Sequence, residues 1–199
     1  VRISSRERGV AVPEEGLDEA LTVVDSGIVR TQVWRYPGRA ECLACHTPQG
    51  GGALSFNTPQ LHRDVLIEGR LTNQIQWLAG AGYLDREAVE LAELPRLAAS
   101  SAPAFSTSHR VRSYLAANCA MCHQPSAGAV GFWDGRFSTP LSSAGLIGGP
   151  LSDVGEHPAN RVVAPGSIPF SQLLARISRR GPGQMPPVAS NELDREAIA

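Results

Sequence analysis

The stretch Arg112-Ser113-Tyr114-Leu115-Ala116-Ala117-Asn118-Cys119-Ala120-Met121-Cys122-His123 decides how this chain is read. Val111, Tyr114 and Leu115 share one face at helical spacing, which predicts an amphipathic helix over 106–118 that runs straight into a Cys-x-x-Cys-His motif. A second copy of the motif, Cys42-Leu43-Ala44-Cys45-His46, stands upstream, with a strand-like segment in front of it instead of a helix.

Each motif supplies two thiols one turn apart and a histidine directly behind them. Two such thiols can add to the two vinyl groups of a haem, which leaves the adjacent histidine under the iron as proximal ligand. The pattern therefore points to two covalently bound haem c groups, at Cys42, Cys45 and His46 and at Cys119, Cys122 and His123. Paired zinc knuckles are the first rival, but their cysteine pairs stand about 15 to 20 residues apart. Here residues 46–118 separate the pairs. A thioredoxin-like redox pair is the second rival, and neither motif lies in a strand-helix-strand pattern. Haem attachment would consume all four cysteines.

The far side of each iron is the next question. Met121 lies between the cysteines of its own motif and cannot cross to the distal face. Met185, in Gly181-Pro182-Gly183-Gln184-Met185-Pro186-Pro187, sits in a rigid turn that can present a thioether, and His/Met ligation raises the potential. With only two methionines in the chain, the first iron is left to a histidine, another group, water or nothing. His62 is the leading internal candidate, close in sequence to His46 on a predicted helix, with His109 and His157 next. Arg136 and Arg161 are candidates for pairing a haem propionate. Trp34, Tyr36, Trp77 and Trp133 are candidates for packing at a haem edge or in the core.

The rest of the chain sets the frame. With 199 residues and 42% hydrophobic composition there is material for one ordinary domain or two small ones. A net charge of -1 provides no basic field for nucleic acid, and no apolar run reaches the roughly 20 residues of a membrane span. Twenty glycines and 15 prolines favour short helices joined by long ordered loops, so the expected fold is mainly α. Three regions are expected: a β-hairpin-like arm at 1–40, a first haem-binding unit at 41–100 and a second at 101–199.

Within the arm, 21–24 and 28–34 flank Asp25-Ser26-Gly27. Thr58 and Pro59 are expected to open a helix that Gly69 ends, Thr72 to open another through Leu78, and a third to follow Asp85. Residues 94–103 read as a linker, 167–180 as a helix, and a last helix begins after Ser190. The chain opens on Val1 without a leader and stops at Ala199 inside that helix, so both ends are expected to be cuts in a longer protein.

The stretch from Arg112 to His123, together with Arg136-Phe137-Ser138-Thr139-Pro140-Leu141, Asn160-Arg161-Val162-Val163-Ala164-Pro165-Gly166-Ser167 and Gln184-Met185-Pro186-Pro187, resembles bacterial diheme c-type cytochromes. Members of that group occur beside, or fused to, β-propeller sugar-dehydrogenase-like modules. Trp34-Arg35-Tyr36-Pro37-Gly38-Arg39-Ala40-Glu41-Cys42 and Phe56-Asn57-Thr58-Pro59-Gln60-Leu61 are similar to the same group, so the likeness spans most of 30–199.

The resemblance implies a class I cytochrome c-like second unit, closed by a C-terminal helix, with His123 and Met185 as axial ligands, and a less regular first unit. In that group Asn is usual where His62 stands, so a distal role for His62 rests on spacing.

The function this implies is electron transfer between extracytoplasmic redox partners, such as a dehydrogenase or another cytochrome. A diheme peroxidase-like enzyme is the alternative, since the first haem lacks a methionine. A head-to-tail homo-oligomeric filament, in which neighbours bring haems together or donate a histidine, is a third reading. A periplasmic or extracellular location is expected, because haem is joined to such motifs after export.

Overall fold

A computed structural model describes residues 2–3, 9–54, 56–85 and 90–199. Strands β1 (Arg2–Ile3) and β2 (Gly9–Val10) form a minimal antiparallel pair. The apolar runs around Asp25-Ser26-Gly27 then form the main hairpin, β3 (Leu17–Asp25) against β4 (Ile28–Tyr36). Ser26 and Gly27 both have positive φ, 51° and 82°, as a two-residue turn matching the strand twist requires. At the tip Arg30 pairs with Glu192 near the far end of the chain.

The base of this hairpin is fastened to the first cysteine motif. Arg35 Nη2 donates to the Glu41 carboxylate at 2.8 Å and to the Glu15 carbonyl at 2.6 Å, and the Gly38 amide donates to Glu41 at 2.7 Å. Helix α1 (Arg39–Leu43) therefore starts at a fixed angle from β4. The Gly38 amide and then Arg35 hold the Glu41 carboxyl below its ordinary range.

Helix α2 (Thr58–Leu61) begins as expected. Asn57 Oδ1 accepts from the Gln60 amide at 3.1 Å, and Gln60 reaches back to the Asn57 amide. It ends after one turn, because Val65, Leu66 and Ile67 enter a hairpin, β5 (Asp64–Ile67) with β6 (Arg70–Asn73). Gly69 is the second residue of a two-residue turn with Glu68, not a helix terminator. Thr72 lies in β6, and Asn73 caps α3 (Gln74–Gly80) through the Ile75 amide. The helix expected after Asp85 falls mostly on 86–89, outside the described residues.

Residues 94–103 form no regular element, and they are bound to their surroundings. The Leu97 amide donates to Pro59 O, the Ala98 amide to Ser113 Oγ at 3.0 Å, and Arg110 to Ser100 O. Helix α4 (Thr107–Asn118) follows, capped by Ser106 Oγ on the His109 amide at 3.2 Å.

Leu115 of α4 is 2% exposed and packs with Ala144, Leu146 and Val162, flanked by Tyr114, Trp133, Leu151 and Leu173. The loops around this core satisfy one another's backbone: Asp134 N donates to Ala144 O, Val163 N to Leu146 O, and Val162 N to Gly149 O. One crossing is so close that a Cβ at Gly149 would stand 1.7 Å from the Gly145 carbonyl oxygen. Helices α5 (Gln172–Ile177) and α6 (Arg195–Ile198) complete the chain.

The expectation of a mainly α chain is overturned. Among the described residues the six helices are short, four to twelve residues each, and three antiparallel strand pairs stand beside them. The class I cytochrome c-like second unit falls with it, since α5 has six residues, α6 has four, and turns and cross-tied loops make up most of 119–171. The physical reason lies in the glycines: Gly69 completes a two-residue hairpin turn where it was expected to end a helix, and Gly145 and Gly149 allow a close loop crossing. Among the described residues no helix is long and apolar enough to cross a membrane.

Candidate functional site

Helix α4 carries the second motif into the core. The amides of Cys119 and Ala120 both donate to Leu115 O, at 2.9 and 3.0 Å, and the His123 amide donates to Cys119 O at 2.8 Å, so the motif continues the helix as a tight turn. Its residues line a cleft of about 640 Å³ together with Trp133, Val162, Leu173, Ile177 and Met185. The walls are chiefly apolar, and the volume suits a single large prosthetic group.

The His123 ring stacks on Trp133 with centroids 4.2 Å apart and planes 17° from parallel. Its Nδ1 is buried without a hydrogen-bond partner. Burial, and secondarily the Arg176 charge, lowers the His123 pKa, so the ring is held in its neutral, metal-binding form. Burial pushes the Cys119 thiol up to about 12 and the Cys122 thiol to about 11. Both cysteines are thus neutral thiols at physiological pH.

Met185 lines the same cleft as His123. Its loop is held by the Met185 amide on Arg176 O at 3.1 Å, by Gln184 Oε1 accepting from the Gly181 amide at 2.7 Å, and by Gln184 Nε2 donating to Pro186 O and Ser190 O. The proline-rich turn is thereby tied to α5, on the cleft wall.

The first motif is more open. Cys42 and His46 are exposed, and Cys45 is half-buried. His46 Nδ1 donates to the Gly52 carbonyl at 2.5 Å, which leaves the lone pair on Nε2. That is the arrangement that orients an imidazole for a metal. Leu43, Ala44, Cys45 and Thr47 also line the cleft of the second motif, so the structure brings the two motifs together although the sequence holds them far apart.

The remaining candidates lie elsewhere. His62 caps the end of α2 with Nδ1 on Pro95 O at 3.3 Å. His109 points Nε2 at Arg96 O, at 2.9 Å, between the rings of Phe105 and Phe137. His157 stacks on Phe170 at the surface. None of the three lines the cleft.

Arg136 forks onto Asp134 through Nε and Nη2, at 3.0 and 2.6 Å, and Arg161 donates to the carbonyls of Pro158 and Asn160; neither reaches the cleft. The arginine on the cleft wall is Arg176 of α5. Its signal was present in the sequence, since Leu173, Arg176 and Ile177 fall on one helical face. Trp133 meets His123, whereas Trp77 stacks on Tyr83 with centroids 6.2 Å apart, away from both motifs.

Two thiols, a histidine and a methionine on an apolar cleft are a donor set that a haem would accept. Among the described residues no group of three or more His, Cys, Asp or Glu converges as a metal site would need. A haem iron requires only one or two side chains and an apolar seat. No family model, curated protein or solved structure matches the chain.

Proposed function

We propose that this chain is a diheme c-type cytochrome that carries electrons between extracytoplasmic redox partners. The observation that carries the reading is the convergence of Cys119, Cys122, His123 and Met185 on one largely apolar cleft. Four residue types that together attach and ligate a haem meet there, although Met185 is remote in sequence.

Each residue has a definite task. The thiols of Cys119 and Cys122 would attach a haem through its two vinyl groups. His123, through a ring nitrogen, and Met185, through its thioether, are the cleft side chains that would ligate its iron. Arg176 supplies a cation at the cleft wall for a propionate. At the first motif Cys42 and Cys45 play the attaching role, and His46, oriented by Gly52, the proximal one. Bound haem supplies reversible one-electron iron chemistry, and axial ligand identity tunes it over about 0.8 V.

One observation favours a peroxidase-like diheme enzyme as the second reading. His109 already spends Nε2 on Arg96 O, and none of His62, His109 and His157 lines the cleft that Cys45 borders, so a haem at the first motif would find no internal histidine placed there.

The experiment that tests the function is intact mass of the denatured holoprotein, combined with low-temperature spin-state spectroscopy. A mass two haems above the polypeptide with low-spin iron at both sites is the expected result. Unmodified thiols refute the proposal, and a high-spin first haem with peroxide turnover transfers it to the second reading.

A further inference from the structure

The sulfur of Cys122 lies 3.6 Å from the sulfur of Cys45 and 3.3 Å from the carbonyl oxygen of Ala44. These are the second cysteines of the two motifs, and they touch across the wall of the shared cleft. The approach is made possible by Gly50. Its amide donates to Thr47 Oγ1 at 3.0 Å, which folds the chain back just after the first motif. A Cβ at Gly50 would stand 3.0 Å from Cys45 O, 3.0 Å from Met121 O and 3.3 Å from Leu54 Cδ2. Position 50 is therefore wedged between the backbones of both motifs, and a larger side chain there must drive them apart.

We propose that Cys45 and Cys122 form the bridge between the two haems, so that the pair exchanges electrons through a single sulfur-to-sulfur contact. The inference rests on haem attachment at both motifs and adds how the two sites communicate. As thioethers both sulfurs lose their hydrogens, and the contact becomes one of van der Waals kind. Each sulfur then sits two bonds from a porphyrin ring carbon. An electron leaving one ring crosses those bonds, one short gap and two bonds more. Tunnelling falls exponentially with the gap, so a sulfur contact of 3.6 Å favours this route. In the exchange one iron is oxidised as the other is reduced, no bond is made or broken, and external redox partners supply and remove electrons one at a time. The exposed first motif and the enclosed second one make the partner-facing end and the sheltered end of that route.

The test uses holoprotein whose mass confirms two haems. In the fully oxidised state, low-temperature electron paramagnetic resonance of the wild type should show two interacting ferric centres, broadened relative to isolated haems. Half-reduction should leave one sharp signal. Gly50→Val, which alters no cysteine or histidine, should slow electron equilibration between the haems severalfold. Gly80→Ala is the control, because nothing lies within 4 Å of its added Cβ.

Two sharp, independent ferric signals in two-haem wild type overturn the bridge and leave the cytochrome reading intact. A mass short of two haems overturns that reading, and the bridge with it. If Gly50→Val fails to accumulate, the wild-type spectrum alone decides.

Discussion

Replacing Arg112 by Met should loosen the loop that backs the second motif. Arg112 is 8% exposed on α4 and sends Nη2 to the carbonyls of Arg136 at 2.8 Å, Phe137 at 3.1 Å and Thr139. Two N–H bonds on that nitrogen can serve two of these acceptors well, and a hydrogen bond from a charged donor is worth about 1.5–3 kcal/mol net, so the gross loss is about 3–6 kcal/mol. Against this stands relief: among the described residues no carboxylate pairs with the guanidinium, and its Nε is buried without a partner, at a cost of about 1–3 kcal/mol.

The first effect wins, and the net destabilisation is about 2–3 kcal/mol, which for a chain of this size lowers Tm by roughly 4–12 °C. The same loop returns Gly135 to the motif, its amide on His123 O at 2.7 Å, so under the proposed haem attachment the absorption of that group should shift at temperatures below the melt. Far-ultraviolet circular dichroism of the holoprotein gives Tm, and the Soret band reports the site. Arg112→Lys should recover only part of the loss, since a point donor cannot span several carbonyls. An Arg112→Met protein that melts within 2 °C of wild type would refute the reasoning.

Met185→Ala should abolish the weak red-edge absorption of a thioether-ligated ferric haem and lower that haem's potential, read by potentiometric titration; an unchanged band and potential place the ligand elsewhere. Asp134 gives a pH-dependent signature. Burial pushes its carboxyl up, but the side chain and amide of Arg136 and the hydroxyl of Thr139 together outweigh that and hold it below its ordinary value. A depressed folded-state pKa adds stability that is present above the unfolded value and is lost as pH falls through the folded one. Asp134→Asn should therefore destabilise the protein at neutral pH and flatten the acid limb of a Tm against pH curve, whereas parallel curves for wild type and variant would exclude this carboxylate as a source of the acid sensitivity.

The cysteine motifs, the main hairpin and α4 were legible because each is a local pattern: fixed spacing, alternation around a two-residue turn, or one apolar helical face. The hairpin at 64–73 was not, since Thr58, Pro59 and Gly69 read equally well as the start and stop of a helix, and only the pairing of Leu66 with Leu71 decides between them. Arg136 was read as a partner for a haem propionate, and nothing in the sequence marked it as the partner of Asp134, two residues away within the same loop. The contact of Cys45 with Cys122 had no sequence signal at all. It depends on how α1 leaves β4 and on the absence of a side chain at Gly50, and both are matters of tertiary placement.

The crossing of residues 145 and 149 has a meaning for inheritance. Gly145 takes a left-handed backbone, φ 65°, and its carbonyl oxygen occupies the place where a Cβ of residue 149 would be. No substitution can pass through position 149 while the backbone keeps this path, and the constraint owes nothing to iron, sulfur or electrons. A descendant that exchanged its cysteines for other chemistry would still carry glycine there. The two glycines thus constrain the scaffold independently of the cysteine motifs.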